Sequence, residues 1–355
     1  MACQDESLSL QEWVDFEVQW ETWQLPRTYS AVEYIGKGAF GSVCQAFDSE
    51  TNGKVAIKCC TMMLLYADRA LSFYTELSLL SHFNHKNIVN ILDILMSPFS
   101  QNIPDSSISF YIVLELCHRT LYELIKSNPL TGCQIQSYIS QTLQGLRYIH
   151  SAGVVHRDIN PYNLMVDNNE IIKIIDFGLA SSEVSIGYVS TWWNNTPEIV
   201  LGWPADYRVD IWAVGCVLFE MVTGSPLFTS TDASKVLTQM IDILEINEFD
   251  WIDNIQDKRL YETAKTCKGV QKNHIIKLVN SCSKDLTSFL ENLLCFDAKI
   301  RPSAKLALEH SFLKSFPTND FIACPVYHDY VKGINVSIED LKKLIFKRID
   351  NFNDK

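Results

Sequence analysis

The sequence predicts an α+β fold in two lobes, a small β-rich lobe followed by a larger helical one, and three observations predict it. Between Tyr29 and Lys58, apolar runs alternate with turn residues (VEYIG, GAFGSVCQAF, the turn SETNGK, then VAIK), which reads as three antiparallel strands. Beyond Glu115–His118 the pattern turns helical, in LYELIKS and IQSYISQTLQGLRYIHS, both amphipathic. Residues 209 to 223, VDIWAVGCVLFEMVT, are apolar almost all round, so that helix is expected to be the buried spine of the larger lobe.

Taken in order, residues 1 to about 27 place Trp13, Phe16, Trp20 and Trp23 among acidic residues. A disordered acidic tail seldom carries so many aromatics, so they are expected to anchor the segment against a surface formed later in the chain. After the three strands, residues 67 to 81 carry Leu71, Tyr74, Leu77 and Leu80 near helical spacing and predict a helix on the sheet. NIVNILDIL and ISFYIVLEL read as two more strands. In the second lobe the short runs VVH, LMVD and KIID predict strands that hold polar loop tips, where chemistry usually sits. Helices are expected near 232 to 244 and 284 to 295, and a last one with Ser337 as N-cap, Asp340 at N3 and Leu341, Leu344, Ile345, Ile349 and Phe352 on one face.

A chain of 355 residues with 47% hydrophobic and 20% charged residues is an ordinary globular composition. The net charge of −12 argues against a nucleic-acid or anionic-membrane surface, which needs clustered Lys and Arg. Eleven cysteines without any C-x-x-C pair suggest neither a disulfide framework nor a zinc site and fit a reducing cytoplasmic or nuclear compartment. MACQDESLSL has neither a basic nor an apolar leader region, Ala2 leaves no glycine to myristoylate, and no apolar run reaches membrane length.

Several motifs carry chemistry. GKGAFGSV, Gly36 to Val43, fits G-x-G-x-x-G-x-V between two strands, where glycines let the backbone close over phosphates; alone it is only a Gly-rich hairpin. Lys58 in VAIK lies one strand later, and Glu76 lies on the following helix, so the two could pair and position α- and β-phosphates, although a Lys at a strand end is usually a solvated charge. HRDINPYN, His156 to Asn163, sets Asp158 five residues before Asn163, a carboxylate for a hydroxyl nucleophile and a carboxamide for Mg²⁺. Asp176 of Asp176-Phe177-Gly178 supplies a second metal ligand. Each Asp or Asn alone could be a turn former; together, in this order, they are not coincidence.

With these residues the chain resembles a protein kinase over nearly its whole length, which implies the bilobal kinase fold. The likeness narrows to the MAP kinases in WQLPRTYSAVEYIGKGAFGSVCQAFDSETNGKVAIK, YIHSAGVVHRDINPYNLMVD and the tail IACPVYHDYVKGINVSIEDLKKLIFKRIDNF. IGYV, Ile186 to Val189, aligns with the Thr-Gly-Tyr lip of their stress-activated branch. The resemblance implies an extension over residues 1–28 packed on the core, a small lobe over 29–115, a large lobe over 116–313, and a tail, 314–355, that returns to the small lobe. It implies an ATP- and Mg²⁺-dependent Ser/Thr kinase acting on Ser/Thr-Pro in protein substrates. Asp158 is then the base, with Lys58 and Glu76 aligning ATP and Asn163 and Asp176 holding Mg²⁺. Around ATP it sets Ile35, Gly36, Lys37, Gly38, Ala39, Phe40, Gly41, Ser42 and Val43, then Ala56, the gatekeeper Leu114, the hinge Glu115 and Cys117, and Thr120 at the ribose. Glu198 of TPEIVLG is expected to pair with Arg301, Asp210 to hold the catalytic-loop backbone beside Arg157, and Tyr188 to be the regulatory lip residue. An upstream MAP kinase kinase, docking-motif proteins and a monomeric state are further implications.

Departures from the family pattern are as informative. Asn160 stands where the family has a Lys that neutralises the transferred phosphoryl group, a change worth roughly 10²–10³ in rate if it resembles loss of one preorganised donor. Ile186 takes the place of the lip Thr, and Trp192 and Asn195 replace two Arg residues that would receive phosphotyrosine. Thr120 replaces an Asp, and Phe316 and Asn319 beside Asp320 weaken the acidic docking groove. Two other readings therefore stay open at this point: a low-activity or pseudokinase scaffold that binds nucleotide, and a cyclin-dependent-kinase-like relative, although the helix around Glu76 lacks a cyclin-binding signature.

Overall fold

The computed structural model describes residues 12–38, 41–98, 108–182, 196–244, 246, 250–267, 279, 282–316, 321–328, 331 and 336–353. The expectations placed on Ala2, Ala39, Phe40, Ile186, Tyr188, Trp192, Asn195, Asn319 and Asp320 lie outside these residues. The chain divides into two compact units, one formed by Met1–Ser81, Val89–Cys117 and Val331–Lys355, the other by His82–Ile88 and His118–Tyr330.

The first unit opens with a hairpin that the periodicity did not reveal. Strand β1 (Trp13–Val18) pairs antiparallel with β2 (Glu21–Pro26), Val18 opposite Glu21, so Gln19 and Trp20 form a two-residue turn with Gln19 at φ 52°. Trp23 is buried against Tyr111, with ring centroids 5.7 Å apart, and the Tyr111 hydroxyl accepts the Gln24 N–H at 3.0 Å. Trp13 and Phe16 pack on the same core, but Trp20 sits at the turn and is 97% exposed, so it anchors nothing within the fold.

Strands β3 (Tyr29–Gly38), β4 (Gly41–Asp48), β5 (Gly53–Thr61), β6 (Ile91–Met96) and β7 (Ser109–Glu115) form one antiparallel sheet in the order β3-β4-β5-β7-β6. Helix α1 (Ala67–His82) buries the expected Tyr74, Leu77 and Leu80 together with Ala70 and Phe73, and leaves the expected Leu71 half-buried. The C-terminal helix, Ile338–Asn353, starts as the sequence predicts: Ser337 Oγ accepts the Asp340 N–H at 3.1 Å, and Leu341, Ile345 and Ile349 are buried. Phe346, which the sequence reading omitted, approaches Phe110 at 6.3 Å between centroids.

In the second unit a short strand β8 (Arg119–Thr120) leads into α2 (Leu121–Ser127) and α3 (Gly132–Ser151), each begun by a capping box, from Thr120 to Glu123 and from Thr131 to Gln134. Strands β9 (Leu164–Val166) and β10 (Ile172–Ile174) complete a three-stranded sheet in the order β10-β9-β8. The expected strand VVH does not form; Val155 makes only an isolated bridge, exchanging backbone hydrogen bonds with Ser181 at 2.8 and 3.0 Å. Helices α4 (Pro197–Val200), α5 (Arg208–Thr223), α6 (Ala233–Ile243), α7 (Lys258–Cys267), α8 (Lys284–Leu293) and α9 (Ala304–Leu308) follow. Every residue of α5 from Val209 to Met221 is buried, the spine its all-round apolarity predicts. Among the described residues no helix is long and apolar enough to cross a membrane.

Candidate active site

In the first unit the sheet places a cation beside a helix. Lys58 on β5 lies opposite Val43 of β4 and Ile112 of β7. Its ammonium meets Glu76 of α1 at 2.6 Å, and the two residues are only 7% and 2% exposed. The expected phosphate-covering residues occupy the joint of β3 and β4: Ile35, Gly36, Lys37 and Gly38 end one strand and Gly41, Ser42 and Val43 begin the next. Gly41 is required by packing, since a Cβ there would lie 2.0 Å from the Cys59 carbonyl oxygen. Ala56 pairs in register with Leu114, Glu115 ends β7 and its carboxylate accepts the Asn90 N–H at 2.7 Å, and Cys117 is buried.

In the second unit the loop after α3 gathers the polar residues. Asp210 on α5 holds its backbone: the carboxylate accepts N–H bonds from His156 at 2.9 Å and Arg157 at 2.8 Å, and meets His150 Nε2 at 2.8 Å. Burial alone would raise the Asp210 pKa, but these donors outweigh it and hold the carboxyl below its ordinary value. They also hold Arg157 at φ 68°, a conformation that costs a non-glycine residue about 1–3 kcal/mol. Burial pushes the Arg157 pKa down, against the pull of Asp210. Asp158 then receives two side-chain amides: Asn163 Nδ2 donates to its Oδ2 at 2.7 Å and its carbonyl at 2.9 Å, and Asn160 Nδ2 to its Oδ1 and its carbonyl, both at 3.1 Å.

Asp176 follows β10 at φ 61°, with its Oδ1 accepting the Gly178 N–H at 3.2 Å. Phe177 is fully buried between Phe83, at 5.3 Å, and His156, at 4.9 Å between centroids, which fixes the turn that carries Asp176. The donor set suits Mg²⁺, a hard cation that one or two protein oxygens and substrate phosphates satisfy. Because the Asn163 Nδ2 is committed to Asp158, its Oδ1 is directed away from that residue, as a metal ligand requires. Among the described residues no group of three or more His, Cys, Asp or Glu forms a separate metal site.

Two expected residues have duties the sequence reading missed. Thr120, read as a ribose contact, is the N-cap of α2: its Oγ1 accepts the Glu123 N–H at 3.1 Å while Glu123 accepts the Thr120 N–H at 2.9 Å. The T-x-x-E spacing was legible as a capping box and is the signal that could have found it. Arg301 forks onto Glu198 at 2.8 and 3.1 Å, and it also donates to the carbonyls of Arg208 and Cys295.

A protein kinase domain model matches residues 29–313. Mitogen-activated protein kinase 13 of Mus musculus is 34% identical over 93% of this chain and 91% of its own length. Mitogen-activated protein kinase 12 of Homo sapiens is 33% identical over 95% and 92%, and the kinase HOG1 of Cochliobolus heterostrophus 33% over 97% and 96%. The chain belongs to the MAP kinases. It is a divergent member on their stress-activated side, a Ser/Thr protein kinase of a family that uses ATP and typically Mg²⁺ and acts on protein substrates. The bilobal kinase fold read from the sequence therefore stands.

Proposed function

We propose that this MAP kinase is active but slow, transferring the γ-phosphate of ATP to Ser or Thr, preferentially before Pro, in other proteins. Asp158 orients the substrate hydroxyl and accepts its proton as the oxygen bonds to the γ-phosphorus; the bond from that phosphorus to the β–γ bridging oxygen breaks, ADP leaves, and the Asp158 carboxyl group then returns the proton to water. Lys58, aligned by Glu76, takes the α- and β-phosphates, with Ile35 to Val43, Ala56, Leu114, Glu115, Cys117 and Thr120 around the rest of the nucleotide. Mg²⁺, when bound, neutralises charge on the phosphate oxygens, and Asn163 and Asp176 are the residues that would hold it.

One observation supports the reading above the others, the Lys58–Glu76 pair at 2.6 Å in a buried setting. Desolvating two charges is costly, and apolar replacements of similar volume are often as stable, so stability alone does not account for the pair. Asn160 supplies no positive charge to the transferred group, which is why turnover is slow. Ile186 leaves Tyr188 as the lip acceptor, so an upstream MAP kinase kinase acts on one site, not two. The remaining parts of the reading are a weakened docking groove, a monomer in the cytoplasm or nucleus, lobes over 29–115 and 116–313, an N-terminal extension over 1–28 and a tail over 314–355.

The test is phosphotransfer from ATP and Mg²⁺ to a Ser-Pro peptide by the full-length chain beside Asp158→Asn. The variant should lose at least about 10²-fold in kcat and bind ATP within twofold of wild type by calorimetry. Equal signal in both would sink the reading.

A further inference from the structure

Replacement of the family's Lys by Asn160 is not only a loss. The Asn160 amide is fully committed within its own loop. Its Oδ1 accepts the backbone N–H of Tyr162 at 2.9 Å and of Asn163 at 3.1 Å, and the Asn163 N–H lies 3.1 Å from the Asn160 carbonyl as well. Asn followed by Pro161 suits this turn, because Asn favours its first position and Pro presets the second. Two N–H donors on Oδ1 fix which end of the amide is oxygen, so Nδ2 must face the other way, and there it donates to the Oδ1 and the carbonyl of Asp158.

We infer that Asn160 is a positioning residue for Asp158: its amide and that of Asn163 bracket the carboxylate, one on each oxygen, and hold it in the orientation that receives the substrate hydroxyl. A Lys side chain has three donors and no acceptor, so it could not close the turn that aims this clamp. A displacement of about 1 Å in a catalytic group costs on the order of 10²-fold in rate, so the clamp offsets part of the charge that Asn160 fails to supply. The inference rests on Asp158 being the base, as proposed above.

Two variants of the full-length chain separate clamp from turn. Asn160→Asp keeps an oxygen for the Tyr162 and Asn163 N–H groups and removes both donors to Asp158; Asn160→Ala removes everything. Both should lower kcat by about 10- to 100-fold with KM for ATP unchanged, and only Asn160→Ala should lower Tm by more than about 2 °C. Wild-type kcat in Asn160→Asp, or a loss confined to KM, would overturn the clamp. The geometry has a test that needs no turnover. In chain labelled with ¹⁵N, Asp158→Ala should shift the Asn160 side-chain amide resonance along with that of Asn163, and an unmoved Asn160 signal would overturn the inference even in a protein without measurable kinase activity.

Discussion

Two buried ion pairs in this kinase differ in the cation that makes them. Glu198–Arg301 is a planar fork whose guanidinium also satisfies the carbonyls of Cys295 and Arg208 and lies 5.1 Å from the Trp212 ring centre. Lys58–Glu76 is a point charge on a strand held by a carboxylate on a helix. Arg suits the first position because its donors sit in a rigid fork, and Lys suits the second because a compact ammonium on a flexible stem can serve a ligand. Burial of a charged pair is thus common to both; the chemistry of the cation, a rigid fork or a mobile ammonium, tells them apart.

Substitutions can break that contrast, beginning with the largest effect. Arg301→Ala should destabilise the protein by about 3–5 kcal/mol in denaturant unfolding, because Glu198 would be left buried without its partner. Removing both partners sharpens the comparison. Glu198→Leu with Arg301→Met should still cost about 2 kcal/mol or more, since the Cys295 and Arg208 carbonyls lose their donor. Lys58→Met with Glu76→Leu should change stability by less than about 1.5 kcal/mol while phosphotransfer falls below detection. An equal stability loss in the two doubles would mean that both pairs are structural.

Smaller effects test the loop and the hairpin. Asn160→Lys should change kcat by no more than about tenfold, short of the roughly 10²–10³ a preorganised donor is worth, because the added charge is offset by loss of the turn that aims the clamp. Trp20→Ser should change the unfolding free energy by less than about 0.5 kcal/mol, as an exposed turn residue should.

The candidate site residues were legible because their spacing is set by covalent order. Lys58, Asp158, Asn163 and Asp176 could be named from the chain alone, and so could the strand pattern, α1 and the Ser337 cap. What escaped depends on direction in space. The four N-terminal aromatics read as equivalent anchors, yet the hairpin register puts Trp23 in the core and Trp20 at an exposed turn. VVH has the composition of a strand but meets only Ser181. Asn160 reads as a missing charge, whereas the orientation of its amide, visible only in the folded loop, makes it a partner of Asp158.

The central claim is that this divergent MAP kinase still transfers phosphate through Asp158. A single-turnover assay of the full-length chain with ATP, Mg²⁺ and a Ser-Pro peptide tests it most directly. Wild type should transfer phosphate slowly, and Asp158→Asn should lose at least about 10²-fold. Transfer at the same rate in both proteins, or none in wild type while ATP is bound, would contradict it.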